Sequence, residues 1–155
     1  MADKKTSYTI QKLAAGDTDL SKELFYFFQT DDGVAEPIVP SDKYVNDLLV
    51  RDDFHVIVAL QNDALIGGLT AYELEMYKEE INEMFLYEIA VKPGYRELGI
   101  AKALIGFLKT IGLAKGIKEM YVGTTSNNTA AMKLYKSTGG DAEADVVWFV
   151  YQLKQ

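Results

Sequence analysis

The chain contains no cysteine. That absence excludes disulfides, cysteine-ligated metals and a thiol nucleophile together. Histidine is almost as scarce. His55 is the only one, it lies in an apolar run, and a single imidazole makes no metal cluster, so it reads as a strand residue and no metal is expected. No apolar stretch is long enough to span a bilayer, and Met1 to Thr6 has no apolar leader core, so the expected location is cytoplasmic, with no membrane partner. Basic residues are the minority, 16 against 23 acidic, for a formal charge of -7. That argues against nucleic acid as the main partner and fits a cationic one. There is no repeat, no low-complexity tract and no linker. The 155 residues, 48% of them hydrophobic, read as a single domain over 1–155 with a core of ordinary size.

The chain is organised around Met84 to Ala114. Phe85 to Val91 has the length and the β-branched and aromatic content of a buried strand. Lys92-Pro93-Gly94 ends it, because Pro93 cannot donate to a ladder. Beyond Arg96 the period changes: Ile100, Leu104, Phe107, Leu108 and Ile111 recur at helical spacing, so a helix opens near Gly99. The free N–H groups of its first turn, with the positive end of the helix dipole, make a place for an anion. Gly99 and Ala101 are small enough to let a phosphate approach, and Arg96 can add a full charge. The P-loop pattern fails, since Ile100-Ala101 stands where Lys-Ser/Thr is needed, and the dinucleotide fingerprint lacks its G-x-G start. A strand–helix turn without a ligand is the alternative.

Tyr8 to Leu13 reads as a first strand, and Asp17 or Thr18 caps a helix carrying Leu20, Leu24, Phe27 and Phe28. An acidic loop, Asp31 to Pro37, follows, then a second helix capped by Ser41-Asp42 with Tyr44, Val45, Leu48 and Leu49. Phe54 to Leu60 and Ala64 to Leu74 are strands about a Gln61-Asn62-Asp63 turn, and Lys78-Glu79-Glu80 tips the next hairpin. Gly116 ends the central helix. Met120 to Thr124 is a strand, Ser126 or Asn127 caps a helix over Ala130 to Ser137, and Val146 to Leu153 is a last strand. The order implies a mixed α/β sheet, antiparallel early and parallel around the central helix.

Arg96-Glu97-Leu98-Gly99-Ile100-Ala101 resembles the phosphate-binding motif R/Q-x-x-G-x-G/A of the GNAT acetyltransferase superfamily. Asn128-Thr129-Ala130-Ala131-Met132-Lys133-Leu134-Tyr135 is similar to its second motif, N-x-x-A-x-x-L-Y, and the element order agrees over nearly the whole chain. The resemblance implies a mixed central sheet flanked by helices, with an antiparallel N-terminal part and splayed parallel strands at its centre. Ile66 to Tyr72, Leu86 to Ala90 and Gly99 to Ile105 look like the aminoglycoside N-acetyltransferases that act at the 3-amino group. Two departures bear on the acceptor: Arg96-Glu97-Leu98 is less basic than in that group, and Asp141 to Tyr151 is less acidic.

The resemblance implies acetyl-CoA as co-substrate. Its pyrophosphate would lie on the backbone of Arg96, Glu97, Leu98, Gly99, Ile100 and Ala101, and its pantetheine arm along Ile89, Ala90 and Val91, as an added strand. A bulge near Ile89-Ala90 would part that strand from the next one. The same backbone would offer an N–H to the thioester oxygen, and Asn128 would bond the pantetheine amide or hold a water there. Glu88 is the candidate base, a carboxylate in an apolar strand whose desolvation raises its pKa. Its alternative is a structural acid paired with a buried Arg, Lys or Tyr. Tyr135 would protonate the departing thiolate, with an aromatic core contact as its alternative. Asp31, Asp32 and Glu36, with Asp141, Glu143 and Asp145, would surround a cationic aminoglycoside. Taken singly, each reads as a solvated surface charge, and the functional reading rests on the two clusters. Direct transfer in a ternary complex is expected, since no thiol is present to carry the acetyl group. Acetylation of another amine, such as a polyamine, an amino acid or a peptide N-terminus, and a non-catalytic acyl-CoA sensor remain open alternatives. A homodimer is compatible with the sequence.

Overall fold

Asn62 and Asp63 both take positive φ, 48° and 63°, the two-residue turn that matches the twist of the strands it joins. They connect β2 (Phe54–Gln61) to β3 (Ala64–Glu75) at the heart of a five-stranded sheet. The structure is a computed structural model that describes residues 7–153, so the leader-free reading of Met1 to Thr6 lies outside it. β1 (Thr9–Lys12) pairs with β2, and β4 (Asn82–Val91) with β3, all antiparallel. β5 (Met120–Val122) adds to β4 in parallel, which requires a crossover, and α3 (Ile100–Ala114) supplies it. α1 (Thr18–Asp31) and α2 (Asp42–Leu49) lie between β1 and β2 in the chain. The chain forms two compact units that divide between Gly123 and Thr124. The first holds the sheet and α1 to α3. The second holds α4 (Thr129–Ser137) and the C-terminal segment.

β2 is buried on both faces, which is why it reads as a continuous apolar run. Phe54, Val56, Val58 and Leu60 pack with Leu24 and Phe28 of α1 and with Val45 and Leu49 of α2. Gly68 lets α1 lie directly on the sheet. A Cβ there would meet Leu24 at 2.7 Å and the Ile57 carbonyl at 2.8 Å. Strand alternation turns His55, Ile57 and Ala59 to the opposite face, the side on which α3 packs. The α3 stripe is rotated slightly from the sequence expectation. Ile100, Leu104, Ile105 and Leu108 are buried, while Phe107 and Ile111 are only half-buried.

His55 is a buried structural residue. Its Nε2–H donates to Glu73 Oε1 at 2.6 Å, and its Nδ1 has no partner among the described residues, as suits a neutral ring. Lys115 donates to the same oxygen at 2.6 Å, and Asn82 to Oε2 at 3.1 Å. Burial pulls the His55 pKa down despite the carboxylate beside it. Burial alone would raise Glu73, but its hydrogen bonds from Lys115, His55 and Asn82 outweigh that and hold it low. Both groups therefore bind protons more weakly folded than unfolded, and both withdraw stability as pH falls. The melting temperature is expected to drop as pH falls below 6.5, the ordinary His value, and again below 4.5, that of Glu. Glu73→Gln should cost about 3 kcal/mol, the low end for breaking a buried pair because Lys115 keeps access to water, and should flatten the lower step. Thermal scans across pH test both.

One expected element is absent. Val146 to Leu153 forms no strand, and its apolar side chains are exposed. β-propensity specifies a strand only where an edge accepts it, and this segment makes no ladder with any described residue.

Candidate active site

β4 and β5 pair only from Met84–Met120 to Leu86–Val122. Beyond Leu86, β4 is bonded among the described residues to β3 alone. The expected bulge exists but lies at Tyr87, two residues earlier than Ile89. The ladder steps from Ala71–Leu86 to Thr70–Glu88 and leaves Tyr87 unopposed. Edge-on contacts to Tyr72 and Phe85, each with 5.7 Å between ring centroids, hold the bulged side chain in place. The Lys92 N–H donates to Ile66 of β3 at 2.8 Å, so alternation directs the backbone groups of Ile89 and Val91 to the open side and those of Ala90 to β3. A strand added at this edge would meet Ile89 and Val91, with Ala90 only bridging them.

After β4 a single helical turn, Pro93–Tyr95, leads to Arg96. Glu97 and Gly99 have positive φ, 64° and 80°, which aligns the chain into α3. Ile100 is buried and anchors the helix start. No acceptor is present among the described residues for the backbone N–H groups of Glu97 through Lys102. A row of unsatisfied donors at the positive end of a 15-residue helix can hold an anion through backbone alone.

Arg96 is already engaged. Its Nε donates to the Val91 carbonyl at 2.9 Å and its Nη2 to Asp31 at 2.7 Å. The residue expected at the phosphates and a residue expected at the acceptor thus form one ion pair. Side chains 49% and 29% exposed make it worth about 1 kcal/mol or less, weak enough to open for a ligand.

Asp32, the C-terminal cap of α1, lies beside Glu88. Burial, then the charge of Asp32 and a hydrogen bond with it, push the Glu88 pKa up to about 7. Among the described residues Glu88 has no Arg, Lys or Tyr partner, as its structural alternative would need. Asp31 and Asp32 end a helix whose last turn has no basic residue, so the dipole adds to their mutual repulsion. Such a cluster suits a bound cation. Glu36 is exposed and joins no ion pair among the described residues.

In the second unit, Asn128 is the α4 cap, in place of Ser126 or Asn127. Its Oδ1 accepts from the Ala131 N–H at 3.1 Å, while Asn127 accepts from the Thr125 hydroxyl. Capping uses the carbonyl oxygen of Asn128, and its amide NH2 has no partner among the described residues. Tyr135 is half-buried. Burial raises its phenol pKa, and its hydroxyl makes no hydrogen bond among the described residues. Asp141, Glu143 and Asp145 are exposed in irregular chain, without ion pairs among the described residues.

The carboxyl pair Glu88–Asp32 and the Arg96–Asp31 bridge were not visible in the sequence. The available signal was two aspartates at a helix C-terminus with no basic residue before them.

The profile of the acetyltransferase (GNAT) family matches residues 20–139. The aminoglycoside N(6′)-acetyltransferase type 1 of Salmonella typhimurium is 28% identical over 116 residues, 71% of this chain and 80% of that protein. A crystal structure of an aminoglycoside acetyltransferase from an uncultured soil metagenomic sample, in complex with sisomicin, has 31% identity and a TM-score of 0.90. It covers 95% of this chain and 97% of that one. AAC(6′)-Iy with a bisubstrate analogue has a TM-score of 0.78, covering 95% of this chain and 99% of that one. At 22% identity this likeness shows the fold alone.

Proposed function

The chain belongs to the GNAT acetyltransferase family, and from that premise we propose that it transfers acetyl from acetyl-CoA to an amine of an aminoglycoside. The observation that carries the acceptor reading is the carboxyl cluster of Asp31, Asp32 and Glu88, unneutralised among the described residues but for Arg96. The soil enzyme crystallised with sisomicin supports it. The position follows the named relative. The 3-amino group is the sequence expectation, whereas the Salmonella enzyme is named for the 6′ amine, so 6′ is the position we assign.

The residues present fit the donor. The free N–H row of Glu97 to Lys102 would hold the pyrophosphate, and the open edge at Ile89 and Val91 the pantetheine arm. Acetyl-CoA supplies an activated acyl group, as a thioester. Glu88 takes the proton that the ammonium must lose before its nitrogen can attack. A pKa near 7 keeps Glu88 basic enough to accept that proton and substantially ionised at neutral pH. Tyr135, kept protonated by burial, gives its proton to the departing thiolate. Asn128 donates to the pantetheine amide. Asp31 and Asp32 attract the other ammonium groups of the acceptor, and Glu36 adds to the negative charge.

Asp31→Asn combined with Asp32→Asn should raise the aminoglycoside KM about tenfold or more, roughly 0.7 kcal/mol for each charge. Acetyl-CoA affinity should change little. Wild-type KM should rise with salt, and the double variant should respond less. Initial rates at several ionic strengths, with calorimetry for acetyl-CoA, test this. An unchanged acceptor KM would remove these carboxylates from the acceptor site.

A further inference from the structure

Arg96 holds one group from each side of the site. Its Nε donates to the Val91 carbonyl at 2.9 Å, on the side of β4 that faces away from β3. Its Nη2 donates at 2.7 Å to Asp31, the last residue of α1 and a member of the carboxyl cluster. The first partner lies where the pantetheine arm would pair, the second where an ammonium group of the acceptor would bind. Arg96 also adjoins the free N–H row that begins at Glu97. A pyrophosphate in that row would bring more negative charge to the guanidinium than the single carboxylate that now holds it, and guanidinium bonds phosphate oxygens at least as well.

The pair can open without moving α1. Lys92 Nζ donates to Glu23 at 3.1 Å and lies 6.0 Å from the centroid of the Phe27 ring, which ties α1 to the end of β4 independently of Arg96. Leu24 and Phe28 of the same helix are buried in the core. Opening is then a rotamer change of one half-exposed side chain.

We propose that Arg96 is a latch shared by the two substrates: the pyrophosphate of coenzyme A draws its guanidinium off Asp31, and the freed carboxylate then binds an ammonium group of the acceptor. The inference rests on the acetyl-CoA and aminoglycoside reading and adds to it a coupling between the two sites. Once Arg96 has left, the cluster of Asp31, Asp32 and Glu88 has no other cation partner among the described residues. Because binding free energies are linked, each substrate must tighten the other by the same factor. An ion pair this exposed is worth little, so the factor is about two- to fivefold. Removing Asp31 changes coenzyme A affinity by no more than that.

Coenzyme A allows the test without turnover, since it has the pyrophosphate and the arm but no acetyl group. Calorimetry should show sisomicin bound about two- to fivefold more tightly at saturating coenzyme A than without it, and coenzyme A tightened equally by saturating sisomicin. Arg96→Ala leaves Asp31 free from the start. Its sisomicin affinity without coenzyme A should rise by that factor, and coenzyme A should tighten it no further. Asp31→Asn should abolish the coupling as well, and adding Arg96→Ala to it should bring no gain in sisomicin affinity. Circular dichroism and melting check that each variant is folded. Equal sisomicin affinity with and without coenzyme A in the wild-type chain overturns the latch and leaves the acceptor reading standing. A coupling that persists in Arg96→Ala or in Asp31→Asn is direct attraction between coenzyme A and a cationic acceptor, and overturns it too. So does an Arg96→Ala gain of equal size in the Asp31→Asn background, which is a general charge effect. Sisomicin that binds in neither state overturns the acceptor reading, and the latch with it.

Discussion

Glu88→Gln is expected to lower kcat by about 100-fold or more, within the range a positioned general base contributes. The glutamine keeps the shape of the side chain and cannot accept a proton. The pH dependence should be as diagnostic as the rate. With the Glu88 pKa at about 7, the wild-type rate should climb through that pH as the carboxylate forms and level off above it. The variant should lose that limb and retain only the slope set by the amine itself. Asp32→Asn supplies the complementary sign. Asp32 raises the Glu88 pKa by its charge and hydrogen bond, so its removal should move the limb to lower pH without abolishing it. Steady-state rates from pH 5 to about 9 distinguish these outcomes. A Glu88→Gln enzyme with the wild-type profile would make Glu88 structural.

Gly99→Asp should weaken acetyl-CoA binding about 30-fold or more, roughly 2 kcal/mol, by placing negative charge among the free N–H groups that we propose for the pyrophosphate. The fold should survive. An added Cβ meets no protein atom within 4 Å, and aspartate tolerates the φ of +80° better than most residues. Gly99→Asn separates charge from bulk, since it has the same outline and no charge. Its loss should be clearly smaller. Calorimetry with acetyl-CoA on the three proteins decides the matter, and equal affinities would move the pyrophosphate away from this turn.

The central strand, the turn after it and the α3 start were legible because each rests on local chemistry: Pro93 ends a ladder, and Gly99 takes a left-handed conformation at a helix start. The turn at Gln61-Asn62-Asp63 and the Ser41 cap were readable for the same reason, although Gln61 belongs to β2. What the sequence hid is nonlocal. Asp32 lies 56 residues before Glu88, and Asp31 65 before Arg96, and only folding α1 across the sheet brings them together. The bulge at Tyr87 depends on register with β3, which a single strand does not encode. Val146 to Leu153 has the composition of a strand and none of the partners, because pairing is a property of two segments. The α4 cap is Asn128 and not Ser126 or Asn127, the ordinary error where several capping residues adjoin.

The most direct measurement incubates the purified chain with acetyl-CoA and sisomicin and follows released thiol, with the product mapped by NMR. The account predicts stoichiometric thiol release and a singly acetylated aminoglycoside carrying the new amide at its 6′ nitrogen. Amide formation at the 3-amino group instead would keep the reaction and correct the position. Absence of transfer to sisomicin or any other aminoglycoside, with spermidine or a peptide N-terminus acetylated in its place, would contradict the account.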